Sequence, residues 1–89
     1  MRFEWDPKKA QANKRKHGVT FEEAATCFGD EHARYYEEKE HRERFVLIGV
    51  STAQRLIFSV HAELENDRIR IISARLATRP ERRRYEEED

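Results

Sequence analysis

The sequence has one cysteine, Cys27, and this scarcity excludes an intrachain disulfide. A secreted domain held together by disulfides is therefore not expected, and a reducing cytoplasm is the natural setting. No apolar run approaches the roughly 20 residues that cross a bilayer. The opening residues 1–6 also lack the apolar segment of a signal peptide. We therefore expect a cytoplasmic protein without a membrane segment.

Glycine is scarce as well, with three residues in the chain, and no GxGxxG or Walker-type loop is present. A nucleotide cofactor held by a glycine-rich loop is therefore not expected. The four histidines and Cys27 show no CxxC, HExxH or zinc-finger spacing. We expect neither a cofactor nor a metal site.

Charged residues, by contrast, make up 40% of the chain. The apolar residues nevertheless concentrate in three short runs, Phe45–Val50, Leu56–Val60 and Ile69–Ile72, which is typical of a folded chain. A chain of 89 residues encloses one core rather than two. We therefore predict a single domain over residues 1–89.

The net charge of zero is made of blocks of opposite sign. Residues 1–18 carry +4, residues 19–67 carry −6, residues 68–85 carry +6 and residues 86–89 carry −4. The last basic block is the densest, because seven arginines lie between positions 68 and 84. Arginine favours bidentate contact with phosphate and stacking on bases, so this block is where the chain would meet RNA or another acidic partner. Solvated helix charge, neutralised by Glu81 and by Glu86–Glu88, is the alternative interpretation.

Local signals predict an α+β fold that runs strand, two helices, strand meander and closing helix. Phe3–Trp5 alternates as a short first strand, and Asp6-Pro7 is typical of a helix start. Two capping boxes, Thr20 with Glu23 and Thr78 with Glu81, begin the second and the last helix. The β-rich segments predict a mainly antiparallel sheet of about four strands, at residues 33–37, 44–51, 55–63 and 68–75.

The two hairpin loops predict which side chains share a face of the sheet, because a one-residue slip exchanges the faces. A three-residue first loop pairs Val50 with Leu56, and a four-residue second loop pairs Val60 with Ile71. The predicted core face, beneath the two N-terminal helices, consists of Val46, Ile48, Val50, Leu56, Phe58, Val60 and Ile71.

On the opposite face the same register places Phe45, His61 and Arg70 in one row across three strands. An aromatic ring, an imidazole and a guanidinium could supply the stacking surface, the base and the phosphate-binding cation of metal-free RNA cleavage. A sheet face covered by the last helix, with His61 merely hydrogen-bonded, is the alternative. On the first helix, the basic run 14–16 beside His17 either holds a phosphate backbone or is simply solvated.

Short motifs occur in order along nearly the whole chain. In the first half they are Phe3–Pro7, Asn13 with Lys16–Val19, and Phe21–Ala24. In the second half they are Arg44-Phe45, Ile48-Gly49, Arg70–Arg75, Ala77, Glu81 and Arg84-Tyr85. Together these motifs resemble the BrnT family of bacterial toxins. The resemblance implies a RelE-like fold and a ribonuclease toxin that inhibits translation. It also implies a BrnA-type ribbon-helix-helix antitoxin, which forms a hetero-oligomer with the toxin and alone contacts the operator DNA.

The candidate catalytic residues are His61, Arg70, Arg75, Glu81 and Tyr85. His61 is the expected base, with Glu81 as its substitute if the last helix lies over the sheet. Arg70 and Arg75 would hold the scissile phosphate, and Tyr85 or a protonated histidine would protonate the leaving oxygen. The family pattern reaches the last four of these residues, whereas His61 rests on the predicted register alone. The candidate RNA-binding residues are Lys16, His17, Phe45, Arg79 and Arg82.

The leading hypothesis is therefore a metal-independent endoribonuclease toxin. The alternative is a non-catalytic interaction module of the same fold, which binds an acidic partner or contributes to operator DNA binding. The acidic tail Glu86–Asp89 is a departure from the family pattern, and its charge would weaken phosphate binding by the last helix.

Overall fold

The computed structural model describes residues 1–87. Its elements are β1 (Arg2–Glu4), α1 (Pro7–His17), α2 (Phe21–Thr26), a 3₁₀ turn (Cys27–Gly29), β2 (Arg34–Glu37), β3 (Arg44–Val50), β4 (Leu56–Leu64), β5 (Arg68–Leu76) and α3 (Arg79–Glu86). The predicted α+β class is confirmed, with two N-terminal helices, a mainly antiparallel sheet and a C-terminal helix. The end of the predicted acidic tail, Glu88 and Asp89, lies outside the described residues.

The helices begin at the predicted caps. The Asp6 side chain accepts a hydrogen bond from the Lys8 backbone N–H at 2.9 Å, and α1 ends at His17, followed by the cap residue Gly18, whose φ of 70° is left-handed. At α3 the capping box of Thr78 and Glu81 is complete, with both reciprocal hydrogen bonds present. Within residues 1–87, no helix is long and apolar enough to span a membrane.

The sheet has five strands in the order β1-β5-β4-β3-β2. Strands β2 to β5 form the antiparallel meander, and Val50 pairs with Leu56 as predicted for the first hairpin. β1 adds a fifth strand, parallel to β5, with Phe3 opposite Ile69. The chain passes from β1 to the opposite edge of the sheet through α1 and α2, so both helices cross the same face.

The turn of the second hairpin is tighter than predicted. Asn66 and Asp67 adopt left-handed conformations, with φ of 64° and 60°, and Leu64 pairs with Arg68. Asn and Asp tolerate this conformation better than most residues, which allows a turn of three residues instead of four.

A β-bulge then changes the register of this hairpin along its length. Val60 pairs with Ser73, whereas His61 pairs with Ile71, so β5 contains one extra residue between the two pairs. The predicted pair of Val60 with Ile71 is therefore wrong. Because the tighter turn shifts the pairing by one residue, residues 68–71 change faces relative to the prediction, and the bulge restores the predicted faces from Ser73 onward.

Both faces of the sheet are covered, and the helices lie on the face opposite to the one predicted. The 3₁₀ turn and the N-terminal helices, with the fully buried Phe21, pack on the face formed by Leu47, Ile57, Ile71 and Ala74. The predicted core residues Val46, Ile48, Leu56 and Val60 pack on the other face, where Tyr85 of α3 contacts them. Both faces are apolar, so composition alone does not distinguish the two arrangements.

Asn13 ties α1 to β5 beyond the end of β1. Its Nδ2 donates to the carbonyls of Ala74 at 2.8 Å and Val19 at 3.0 Å, and its Oδ1 accepts from the Ala74 N–H at 3.1 Å. Since β1 pairs with residues 68–70 only, this amide takes the place of a neighbouring strand at the edge of β5.

Candidate active site and nucleic-acid interface

The face of the sheet that bears Val46, Ile48, Leu56 and Val60 is called the α3 face, because α3 packs on it. Its charged centre is a bidentate ion pair between Arg75 of β5 and Glu81 of α3. Arg75 Nη1 and Nη2 each lie 2.8 Å from a carboxylate oxygen of Glu81, and the guanidinium carbon lies 4.2 Å from the centroid of the Phe58 ring. Glu81 also accepts from the Thr78 N–H at 2.8 Å. Burial raises the pKa of Glu81, but the hydrogen bonds from Arg75 and Thr78 outweigh it and leave the pKa below its usual value. Glu81 is therefore an ionised carboxylate, held beside a cation.

Tyr36 and Arg84 form a second contact on this face. The Arg84 guanidinium carbon lies 3.8 Å from the centroid of the Tyr36 ring. Tyr36 pairs with Val46 on the edge strand β2 and so shares its side of the sheet. A cleft of about 250 Å³ opens here, lined by Arg34, Tyr35, Tyr36, Arg84 and Glu87. Aromatic and guanidinium walls suit a nucleobase and its phosphate.

Arg44 and Arg70 extend the face away from α3. Both pair with Ala62, one on each neighbouring strand, so their side chains lie on the same side of the sheet. Glu4 accepts hydrogen bonds from Arg70 Nη2 at 2.7 Å and Arg68 Nη1 at 2.8 Å, yet the Arg70 side chain remains 57% exposed. Arg44, Arg70, Arg75 and Arg84 are called the basic face below.

Tyr85, the predicted proton donor, is held at both its side chain and its backbone. Its hydroxyl donates to Asp30 Oδ2 at 2.6 Å, and its carbonyl accepts from Arg34 Nε at 3.2 Å. Asp30 Oδ2 also accepts from the Val50 N–H at 2.9 Å. Burial and the hydrogen bond to Asp30 raise the pKa of Tyr85 to about 12. The hydroxyl therefore anchors α3 to the rest of the fold and is engaged away from the Arg75–Glu81 pair.

The prediction that His61 lies on an accessible face is wrong. The side chain is 0% exposed, with the Phe28 ring edge-on at 4.9 Å and the Tyr35 ring stacked at 5.8 Å. Neither ring nitrogen has a hydrogen-bond partner within residues 1–87, and burial lowers the pKa of the imidazole. The three-residue turn of the second hairpin also places Arg70 opposite Ala62 rather than His61. A neutral imidazole sealed in the core is not positioned to act on RNA.

Phe45 lies on the same side of the sheet as His61, with their rings stacked at 5.8 Å. It is half-buried and also stacks on Tyr35 at 5.4 Å. The sheet therefore separates Phe45 from the Arg75–Glu81 pair, and the predicted row of Phe45, His61 and Arg70 does not form.

The four remaining candidates lie around the edges of the molecule. Lys16 and His17 are exposed at the end of α1 and line a shallow cleft with Ile72 and Ser73 of β5. Arg79 and Arg82 are exposed on α3. In the described part of the chain, no hydrogen bond or ion pair joins these four side chains to Glu81. Nor do any three His, Cys, Asp or Glu side chains there cluster as a metal site would require.

Three residues of this face, Tyr36, Arg84 and Arg44, are not among the site residues predicted from the sequence. The pair Tyr35-Tyr36 indicates an extended chain. Which of the two tyrosines faces α3 depends on how β2 pairs with β3 across the charged segment 38–43. Arg84 is one of three consecutive arginines, and only the phase of α3 relative to the sheet distinguishes it from its neighbours. The structure places Arg70, Arg75 and Glu81 on one face of the sheet with these three residues, but Arg70 binds Glu4 whereas Arg75 binds Glu81.

Comparison with known proteins agrees with the resemblance read from the motifs. Residues 5–81 match a family model described as ribonuclease toxin, BrnT, of type II toxin–antitoxin systems. The fold is similar to the crystal structure of the Brucella abortus ribonuclease toxin BrnT, with a TM-score of 0.73 and 25% identity, over 89% of this chain and 99% of that one. No curated protein matches the sequence significantly. The family match spans most of the chain and includes the Arg75–Glu81 pair, so this chain belongs to the BrnT family of ribonuclease toxins of type II toxin–antitoxin systems.

Proposed function

We propose that this protein cleaves RNA without a metal ion, by attack of a 2′-hydroxyl on the adjacent phosphate at the basic face. Membership of a ribonuclease toxin family supports the activity. The main evidence for the position of the site is the bidentate Arg75–Glu81 ion pair, in which both N–O distances are 2.8 Å. It places a cation for the phosphate next to a carboxylate for the attacking hydroxyl.

In this proposal Arg75 and Arg70 bind the scissile phosphate, and Glu81 accepts the proton of the 2′-hydroxyl. Glu81 takes the role of base because α3 lies over the sheet, whereas His61 is buried on the other side. A phosphate that binds Arg75 removes hydrogen bonds that lower the pKa of Glu81, so substrate binding itself makes the carboxylate a stronger base. Lys16, His17, Arg79 and Arg82 are proposed outer contacts for the RNA backbone.

The proposed consequence is inhibition of translation in the cytoplasm, until an antitoxin covers the basic face. Type II membership implies such a partner. We propose that it is a BrnA-type ribbon-helix-helix protein, which would present carboxylates to the segment Arg68–Tyr85 and would itself bind the operator DNA in a hetero-oligomer. The exposed guanidinium groups on this segment support a partner of opposite charge.

RNA cleavage by the purified protein in excess chelator tests the proposed reaction. We expect products that end in a 2′,3′-cyclic phosphate, and a loss of about 10²–10³ in rate for Arg75→Ala, since one charge-stabilising donor is removed. Arg75→Lys keeps the charge but loses the bidentate geometry, so it should also be slow. Lys8→Ala, an exposed change on α1, is the matched control and should cleave as fast as the unmodified protein.

Three results would contradict this proposal. Activity that disappears with the chelator would refute the metal-independent reaction. Full activity in both Arg70→Ala and Arg75→Ala would place the site elsewhere. A folded protein that co-purifies with its antitoxin but cleaves no RNA would favour the alternative, a non-catalytic interaction module.

A further inference from the structure

Two tyrosines contact the α3 face, and their hydroxyl groups differ in what they bind. The Tyr85 hydroxyl donates to Asp30 at 2.6 Å and is committed to the fold. The Tyr36 hydroxyl makes no hydrogen bond with any group in residues 1–87, although the ring is held by Arg84 at 3.8 Å. Tyr36 therefore combines a fixed ring with a hydroxyl that is available to a ligand.

The charges of the proposed active site act directly on this hydroxyl. Burial raises the pKa of Tyr36, the Arg84 guanidinium lowers it, and Glu81 and Arg75 act in opposite directions. The net shift is upward, so the phenol keeps its proton at neutral pH. The Arg84 and Arg75 guanidinium groups lower the pKa, and so they offset part of the cost that burial and Glu81 impose on a phenolate formed in the reaction.

We propose that Tyr36 is the general acid of RNA cleavage, and that it protonates the 5′-oxygen that leaves the scissile phosphate. This inference rests on the proposed function and assigns to it the proton donor that Tyr85 does not supply. The cleft beside the Tyr36 ring, of about 250 Å³, receives the departing nucleotide. Arg84 keeps the ring in place and faces the incoming negative charge.

The step balances without any further reactant. The 2′-oxygen forms a bond to phosphorus and gives its proton to Glu81, while the bond between phosphorus and the 5′-oxygen breaks. The 5′-oxygen takes the proton of Tyr36 and leaves as a hydroxyl. A water molecule then carries the proton from Glu81 to the phenolate, which restores both side chains.

Tyr36→Phe tests this role, because it removes the hydroxyl and keeps the ring beneath Arg84. We expect kcat on ordinary RNA to fall by about 10²–10⁴-fold, the range of general acid catalysis, with KM and thermal stability unchanged. Lys8→Ala, an exposed change on α1 away from the basic face and the cleft, is the control. It should cleave at the rate of the unmodified protein.

A second substrate distinguishes two possible roles of the Tyr36 hydroxyl, donation of a proton to the leaving group and positioning of the RNA. In an RNA whose bridging 5′-oxygen is replaced by sulfur, the leaving thiolate needs no proton, so Tyr36→Phe should cleave it nearly as fast as the unmodified protein. Arg75→Ala should remain slow on both substrates. Equal losses for Tyr36→Phe on both substrates, or full activity on ordinary RNA, would overturn the acid role and leave the proposed ribonuclease intact. An unmodified protein that cleaves neither substrate would overturn the proposed function itself.

Discussion

At the scale of single residues, Asn13 and His61 are both buried and polar but differ in their partners. The Asn13 amide makes three hydrogen bonds to backbone groups of Ala74 and Val19. Asn13→Ala leaves these groups without partners, so we expect the free energy of unfolding to fall by about 2–3 kcal/mol in urea titrations. Gln11→Ala, exposed on the same helix, should change it by less than about 0.5 kcal/mol. Equal effects of the two substitutions would contradict the role of Asn13 at the edge of β5.

His61 is the opposite case, since neither of its ring nitrogens has a hydrogen-bond partner within residues 1–87, although Nε2 lies 3.8 Å from Glu63 Oε2. His61→Leu replaces the imidazole by an apolar side chain in an aromatic environment and removes no hydrogen bond. We expect a change below about 1.5 kcal/mol in the free energy of unfolding, and unchanged RNA cleavage. RNA cleavage by the folded His61→Leu protein in excess chelator tests the expectation of unchanged activity. A loss of activity comparable to that of Arg75→Ala would return His61 to the catalytic site.

At the scale of elements, α3 is a helix of eight residues that depends on attachments at both ends. Its start is held by the Thr78 capping box and by Arg75, and its end by the bond from Tyr85 to Asp30. Tyr85→Phe removes a hydrogen bond to a carboxylate, so we expect the free energy of unfolding, measured by thermal denaturation, to fall by about 1.5–3 kcal/mol. Cleavage measured well below the melting temperature should persist. A folded Tyr85→Phe protein without activity would make Tyr85, and not Tyr36, the proton donor.

The elements also show where local sequence signals are sufficient. Caps are local, and the sequence predicted the starts of the helices at Asp6, Thr20 and Thr78 because each cap satisfies N–H groups within three residues. The register of β5 depends on the three-residue turn before it and on the bulge, beyond which Ala74 donates to Asn13 of α1. No pattern within β5 reveals the turn length or the bulge, and the error of one residue in the turn was enough to exchange the faces of residues 68–71.

At the scale of the whole molecule, the site depends on which face of the sheet each helix covers. Arg70, Arg75 and Glu81 could be predicted from the dense arginine block and the family motifs, and the structure places them on one face. His61 and Phe45 were misplaced because the helix-covered face contains a histidine and a serine, which made it look like a binding surface. The contact between Tyr36 and Arg84 could not be predicted, because it depends on the relative positions of β2 and α3, which are far apart in sequence.

Low pH should destabilise the folded protein, because it protonates three hydrogen-bonded carboxylates, Glu23, Asp30 and Glu81. Hydrogen bonds from Arg55 lower the pKa of Glu23; in Asp30 and Glu81, burial raises the pKa but hydrogen bonds outweigh it. A carboxyl whose pKa is lower in the folded state stabilises the protein above its unfolded pKa, near ~4, and this stability is lost as the pH falls through the folded pKa. We therefore expect the urea midpoint to be flat from about pH 7 to about pH 5 and to decline below about pH 4. Glu81→Gln lacks one of these groups, so its midpoint should decline less steeply. Identical slopes for the two proteins would show that the Arg75–Glu81 pair is not linked to folding.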